Sequence, residues 1–170
     1  MCSLCYLACR TLRPSVVVET GVAHGITSVY ILAALERNAR DDHPQGHLYS
    51  IDRPPLASRS DEFVGICIPD SLKANHTLIR GDARAKLPAM LDALGKVDMF
   101  VHDSDHSYGH MKFELGLAYR HLRLPGIVIS DDVDYNAAFH EFVDDTKPAA
   151  SLVMTRGDAA GGSSGVGVFV

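Results

Sequence analysis

Short branched-apolar runs alternate with stretches of helical period along this chain. Ser15–Glu19 (SVVVE) reads as a buried strand by composition. Thr27–Asn38 then places Val29, Leu32, Ala33 and Leu35 at helical spacing, with Thr27 or Ser28 near its start. His47–Ile51, Thr77–Arg80, Val97–His102 and Ile127–Ser130 read as four further strands. Between them, Arg84–Leu94 reads as a helix containing a proline, and Tyr108–Leu122 is the strongest amphipathic helix. Asp61–Ala74 is partly helical, weakened by Gly65 and Pro69, while Asn38–Gln45 and Arg53–Ser60 read as loops. After the Pro125–Gly126 turn and the fifth strand come a short helix, Ala137–Asp144, and two late strands, Ser151–Thr155 and Val166–Val170.

Strand–helix alternation implies a parallel sheet covered by helices on both faces, with right-handed crossovers. The last two strands are joined by the Gly/Ser-rich segment RGDAAGGSSG, too short for a helical crossover, so they are expected to pair antiparallel. The expected fold is α/β: a doubly wound, Rossmann-like, mostly parallel seven-stranded sheet ending in an antiparallel hairpin. One domain over residues 1–170 suits the length.

Composition narrows the function classes. With 46% hydrophobic and 22% charged residues the chain is an ordinary globule, not a disordered one. The net charge of −5 and the lack of a basic stripe disfavour a nucleic-acid grip. No apolar run approaches the ~20 residues of a membrane span, so no membrane partner is expected. The start, MCSLCYLACRTLRP, lacks the basic and long apolar regions of a signal peptide, and the chain reads as cytoplasmic. Cys2, Cys5 and Cys9 fall on one helix face and read as packing, since no second Cys pair completes a zinc site. Cys67, in an apolar stretch, also reads as packing.

In such sheets ligands sit beyond the carboxyl ends of the strands. After the first strand comes Glu19-Thr20-Gly21-Val22-Ala23-His24-Gly25-Ile26-Thr27-Ser28. Its G-x-x-x-G allows a tight turn and close ligand approach, or is merely a turn that needs glycine. Asp52 follows the second strand, where an acid accepts hydrogen bonds from ribose hydroxyls or caps a loop. Gly81-Asp82-Ala83 follows the third, where the acid either binds an adenine amino group or caps the next helix. The fourth and fifth strands end in Asp103-Ser104-Asp105-His106 and Asp131-Asp132. Adjacent parallel strands bring Asp103, Asp131 and Asp132 to one edge, a hard-oxygen set suited to Mg²⁺, Ca²⁺ or Mn²⁺. His106 beside them reads as a base. His102 belongs to a strand end, and His110 reads as a structural residue on a helix face.

With these segments in place, the chain resembles the class I S-adenosylmethionine-dependent methyltransferases. It looks most like the metal-dependent small-molecule O-methyltransferase branch, which includes catechol and macrolide sugar O-methyltransferases. The resemblance runs from about Leu12 to Val170 and is carried by VVVETGVAHGITS, LYSID, LIRGDA, VDMFVHDSDHSYGHMKFEL and GIVISDDV in that order. It implies that Glu19, Gly21, Val22, Gly25, Thr27 and Ser28 line the methionine part of the cofactor. Asp52 would hold the ribose, and Gly81, Asp82 and Ala83 would border the adenine. It implies a divalent cation, Mg²⁺ by preference, on Asp103, Asp131 and Asp132. Asp103 would also serve cofactor and catalysis, with His106 where catechol enzymes carry a lysine base.

The implied reaction is metal-assisted transfer of a methyl group to the hydroxyl of a small-molecule acceptor. The short N-terminal segment leaves the acceptor pocket to a neighbouring subunit, in a homo-oligomer, or to the loop Asp52–Ser71 acting as a lid. Two alternatives stand beside it: an NAD-dependent oxidoreductase, which lacks its full glycine fingerprint here, and a methyltransferase-like binding protein without chemistry.

Overall fold

The computed structural model describes residues 1–53, 60–157 and 163–169. Parts of the expected loop after Arg53, of the Gly/Ser-rich connection, and Val170 lie outside those residues. The elements run α1 (Cys2–Leu12), β1 (Val16–Thr20), α2 (Ile26–Arg40), β2 (His47–Asp52), β3 (His76–Arg80), α3 (Ala83–Leu94), β4 (Val97–His102), α4 (Tyr108–His121), β5 (Leu122–Ser130), α5 (Ala138–Thr146), β6 (Ser151–Gly157) and β7 (Ser163–Phe169). Two 3₁₀ turns, Ser60–Phe63 and Asp70–Asn75, occupy the partly helical stretch before β3.

The sheet order is β3-β2-β1-β4-β5-β7-β6. The first five strands are mutually parallel, the α/β Rossmann-like arrangement that the alternation predicts. β7 lies antiparallel between β5 and β6. The strand order reverses between β1 and β4, where a crevice opens beyond their carboxyl ends.

Alternate residues of each strand feed two cores. Val18, Phe100 and Val128 pack with Leu87, Leu91, Met111 and Leu115 of α3 and α4. Val17, Met99 and Ile129 face α1 and α2 through Cys5, Cys9, Ile31 and Leu35. Of the three N-terminal cysteines expected to pack, Cys5 and Cys9 are fully buried and Cys2 is half-buried. Burial pushes the Cys9 thiol up to about 12, which keeps it an inert thiol. Cys67 corrects the expectation of packing, because it is exposed.

β5 corrects another boundary. Leu122 pairs with Val97, and the next register pair is Met99 with Ile127, so the strand starts directly after α4. Pro125 and Gly126 lie in that irregularity, one of the places a sheet accepts proline. Among the described residues no helix is long and apolar enough to cross a membrane.

Candidate active site

Four of the parallel strand ends are stitched to a neighbour by the residue that follows them. Gly21 N donates to Ile51 O (2.9 Å), Gly81 N to Asp52 O (2.8 Å), Asp103 N to Thr20 O (2.8 Å) and Asp131 N to His102 O (2.9 Å). The ladder therefore runs one residue past β1, β3, β4 and β5, and the chemistry-bearing residues inherit its register. Gly21 has a φ of +83°, and a Cβ there would overlap the Asp103 carbonyl and meet Ser104 N at 2.8 Å. Glycine is thus required both by backbone conformation and by the closeness of the β4 chain end. Asp52 Oδ2 accepts from Val22 N (2.7 Å) and Ala23 N (2.9 Å), so the acid that ends β2 braces the glycine turn.

A cavity of about 400 Å³ opens over these ends. Six expected residues line it: Gly21, Asp52, Gly81, Asp82, Ala83 and Asp103. Val22, Gly25, Thr27, Ser28 and Glu19 are not among its lining. Ser28 Oγ (2.6 Å) and Ser50 Oγ (2.9 Å) both donate to Glu19 Oε2, because the strand alternation aims Glu19 toward α2 rather than the cavity. Thr27 Oγ1 lies 3.6 Å from Cys2 Sγ of α1. Gly25 caps α2 with a φ of 86°. Asp82 caps α3, with Oδ1 accepting from Arg84 N (2.8 Å), and its Oδ2 accepts from Arg53 Nη1 (2.9 Å).

Glu19 is fully buried, and its Oε1 has no partner among the described residues. Burial pushes its carboxyl up to about 7 against the two serine hydrogen bonds. The folded state therefore holds this proton more tightly than the unfolded chain does. Stability from the protonated form is present below the unfolded value near 4.5 and is lost as pH rises to about 7. The expected cost over that window is about 3 kcal/mol. Urea midpoints should fall between pH 4.5 and 7, and this part of the fall should vanish in Glu19→Gln, whose amide oxygen still accepts from the serines.

Asp103, Asp131, Asp132 and His106 lie at the neighbouring ends of β4 and β5. His106 Nε2 is 3.9 Å from Asp103 Oδ1 and Nδ1 is 3.7 Å from Asp132 Oδ2, so the imidazole stands between two carboxylates. Burial, then the charges of Asp131, Glu19 and Asp132, push Asp103 up to about 8. Burial and the adjacent His102 hold His106 below its usual value, against the pull of the acids. Asp132 has a φ of 48°, the left-handed conformation that Asp tolerates better than most residues. Asn136 Nδ2 donates to His106 O (2.8 Å) while its Oδ1 accepts from Ala138 N (2.8 Å) at the start of α5. His106 is thereby tied to the β5–α5 connection. Among the described residues no three His, Cys, Asp or Glu side chains converge as a metal-binding group.

Behind this cluster lies a residue the sequence did not single out. Glu114 of α4 is fully buried and accepts from Thr20 Oγ1 (2.5 Å), His102 Nδ1 (2.6 Å), Ser104 Oγ (3.0 Å) and His110 Nε2 (2.7 Å). Burial alone would raise its pKa, but the hydrogen bonds from His102, His110 and Thr20 prevail and hold it at about 2. An ionised carboxylate only accepts, so both facing imidazole nitrogens carry hydrogen. One side chain thus ties β1, β4, the loop after β4 and the start of α4. Arg53, Arg84, Ser104, Asp105 and His110 also line the cavity without having been expected there.

Solved structures of other proteins share this fold. No curated protein matches the chain. An O-methyltransferase from Bacillus cereus in complex with SAH superimposes with a TM-score of 0.76 at 12% identity, covering 98% of this chain and 79% of that one. The O-methyltransferase TomG from Streptomyces achromogenes, involved in tomaymycin synthesis and solved with SAM, gives 0.74 at 18%, covering 98% and 78%. A putative caffeoyl-CoA O-methyltransferase from Staphylococcus aureus gives 0.68 at 14%, covering 99% and 82%. The model of a family described as "Methyltransferase domain" matches residues 18–133. That stretch holds the glycine turn, the acids after β2 and β3, and the acid–imidazole cluster, and it displaces the oxidoreductase alternative: the chain belongs to the methyltransferase domain family.

Proposed function

We propose that the chain transfers the methyl group of S-adenosylmethionine to a hydroxyl oxygen of a small molecule, assisted by a divalent cation. The observation that carries this reading is the continuity of the nucleoside-sized cavity with the Asp103–His106–Asp132 cluster, since Asp103 belongs to both. TomG was solved with SAM and the Bacillus cereus enzyme with SAH, which supports the choice of donor.

The residues fit the cofactor. Asp52 lines the cavity with its backbone contacts confined to Oδ2, which leaves Oδ1 for a ribose hydroxyl. The bare Cα of Gly21 permits close approach. The cation is supported by donor chemistry alone: Asp103, Asp131 and Asp132 are hard oxygen donors at two neighbouring strand ends, and burial, then the charges of Asp131, Glu19 and Asp132, raise the Asp103 pKa. Those three side chains would hold it. When bound, the cofactor supplies an electrophilic methyl group and the cation makes a nearby hydroxyl more acidic.

The chain's own residues do the rest. His106, kept neutral by burial, takes the hydroxyl proton on a ring nitrogen. Asn136 and the Glu114 network hold the loops on either side of it. The stitched strand ends keep donor and acceptor pockets in register, and positioning of two bound reactants supplies most of the rate.

The test is calorimetric titration with S-adenosylhomocysteine, followed by turnover on a panel of phenols and sugars with and without Mg²⁺. Asp131→Ala should abolish turnover while cofactor affinity stays nearly intact. Turnover that survives this change would exclude the metal role. His106→Ala should lower kcat by roughly 10²–10⁴-fold with little change in cofactor affinity.

A further inference from the structure

We propose that His110 reads the nucleobase edge of the donor cofactor and sets its preference for a 6-aminopurine, with Glu114 as the residue that positions the ring. The inference rests on the cofactor reading above and extends it to a residue of α4. Asp82, the acid expected to take the base's amino group, has a partner on each oxygen: Arg84 N caps against Oδ1 and Arg53 Nη1 pairs with Oδ2. Asp105 also lines the cavity, but it is exposed, and its Oδ1 accepts from Ser107 N at 2.8 Å. His110 lines the same cavity and is buried.

The His110 ring is fixed. Its Nε2 donates to Glu114 Oε1 at 2.7 Å, and its edge meets the Phe113 ring at a centroid distance of 6.3 Å. Arg84 in turn lies over Phe113, with its guanidinium carbon 5.0 Å from the ring centre. Glu114 cannot swing away, because Thr20, His102 and Ser104 hold it from three other directions. Among the described residues nothing bonds His110 Nδ1, and that atom is not sealed from solvent.

With hydrogen on Nε2, the neutral ring carries its lone pair on Nδ1 and accepts. A 6-amino group offers it an N–H. A 6-oxo purine sets an acceptor against an acceptor and leaves a buried polar atom unpaired, the arrangement by which binding sites reject near-isosteres most strongly.

The experiment is calorimetric titration at pH 8.5 with S-adenosylhomocysteine and with its 6-oxo analogue, S-inosylhomocysteine. It compares wild type, His110→Phe, His110→Asn and Asp82→Asn, each checked by melting temperature. Wild type should prefer the adenine compound by about 10-fold or more. His110→Phe should bring the two affinities to within about 3-fold, His110→Asn should restore part of the preference through its amide oxygen, and Asp82→Asn should keep it. Equal affinity of wild type for both compounds, an unchanged preference in His110→Phe, or equal weakening toward both would overturn the proposal. Binding of neither compound by wild type overturns the cofactor reading, and this inference with it.

Discussion

Gly21→Ala is expected to abolish cofactor binding and to lower the stability of the protein by about 3 kcal/mol or more. Two penalties coincide at this position. A φ of +83° is strained for alanine, and the added methyl meets main chain of Asp103 and Ser104, not a side chain able to turn aside. Relief requires β1 and β4 to part at their carboxyl ends, and that motion breaks the Asp103 N to Thr20 O bond. Urea denaturation and S-adenosylhomocysteine titration of the variant measure the two effects. A midpoint and an affinity equal to wild type would show that the two chain ends are not in contact.

The second large effect is expected at Glu114. Its replacement by Gln removes the charge that four donors share and turns an amide NH₂ toward groups that already donate. The expected cost is about 3–5 kcal/mol, the usual result of breaking a buried ionic set from one side. The pH dependence has the opposite sign to that of Glu19. Because the folded-state value lies at about 2, below the ordinary glutamate range, the stability it contributes is complete above the unfolded value near 4.5. It is lost as pH falls from there to about 2, by about 3 kcal/mol in wild type and not at all in the variant. Acid titrations followed by circular dichroism check this. Superimposable acid limbs in the two proteins would place the carboxyl outside any ion pairing.

Much of this was legible before the fold was known, and what escaped did so for identifiable reasons. Strand–helix alternation has a strong periodic signal, so β1 to β5 and their parallel arrangement followed from it. Asp103 and Asp131 follow strands directly, with Asp132 and His106 close behind, and register brings such strand ends together. The start of β5 was hidden because Pro125 and Gly126 are turn residues almost everywhere except in an irregular stretch of sheet. Glu114 was invisible for a different reason: an acid in an amphipathic helix reads as a solvated position. Its burial depends on Thr20, His102 and His110, which come from three segments. Pairing across such separations leaves no period in one sequence. Glu19 sits close to the expected place but faces Ser28 of α2, since a two-residue period in the strand decides the side and a motif does not.

The brace from Asp52 to Val22 and Ala23 has a kinetic consequence. The same carboxylate that lines the cavity already holds the turn that a ligand would otherwise have to order. The loss of conformational freedom in that turn is therefore charged to folding and not to association. Donor capture should proceed as one encounter with a finished surface. The observed rate should rise in proportion to ligand concentration, without a plateau from slow loop closure. Cutting the brace in Asp52→Ala would move that ordering into the binding step, where the surface takes shape around its guest.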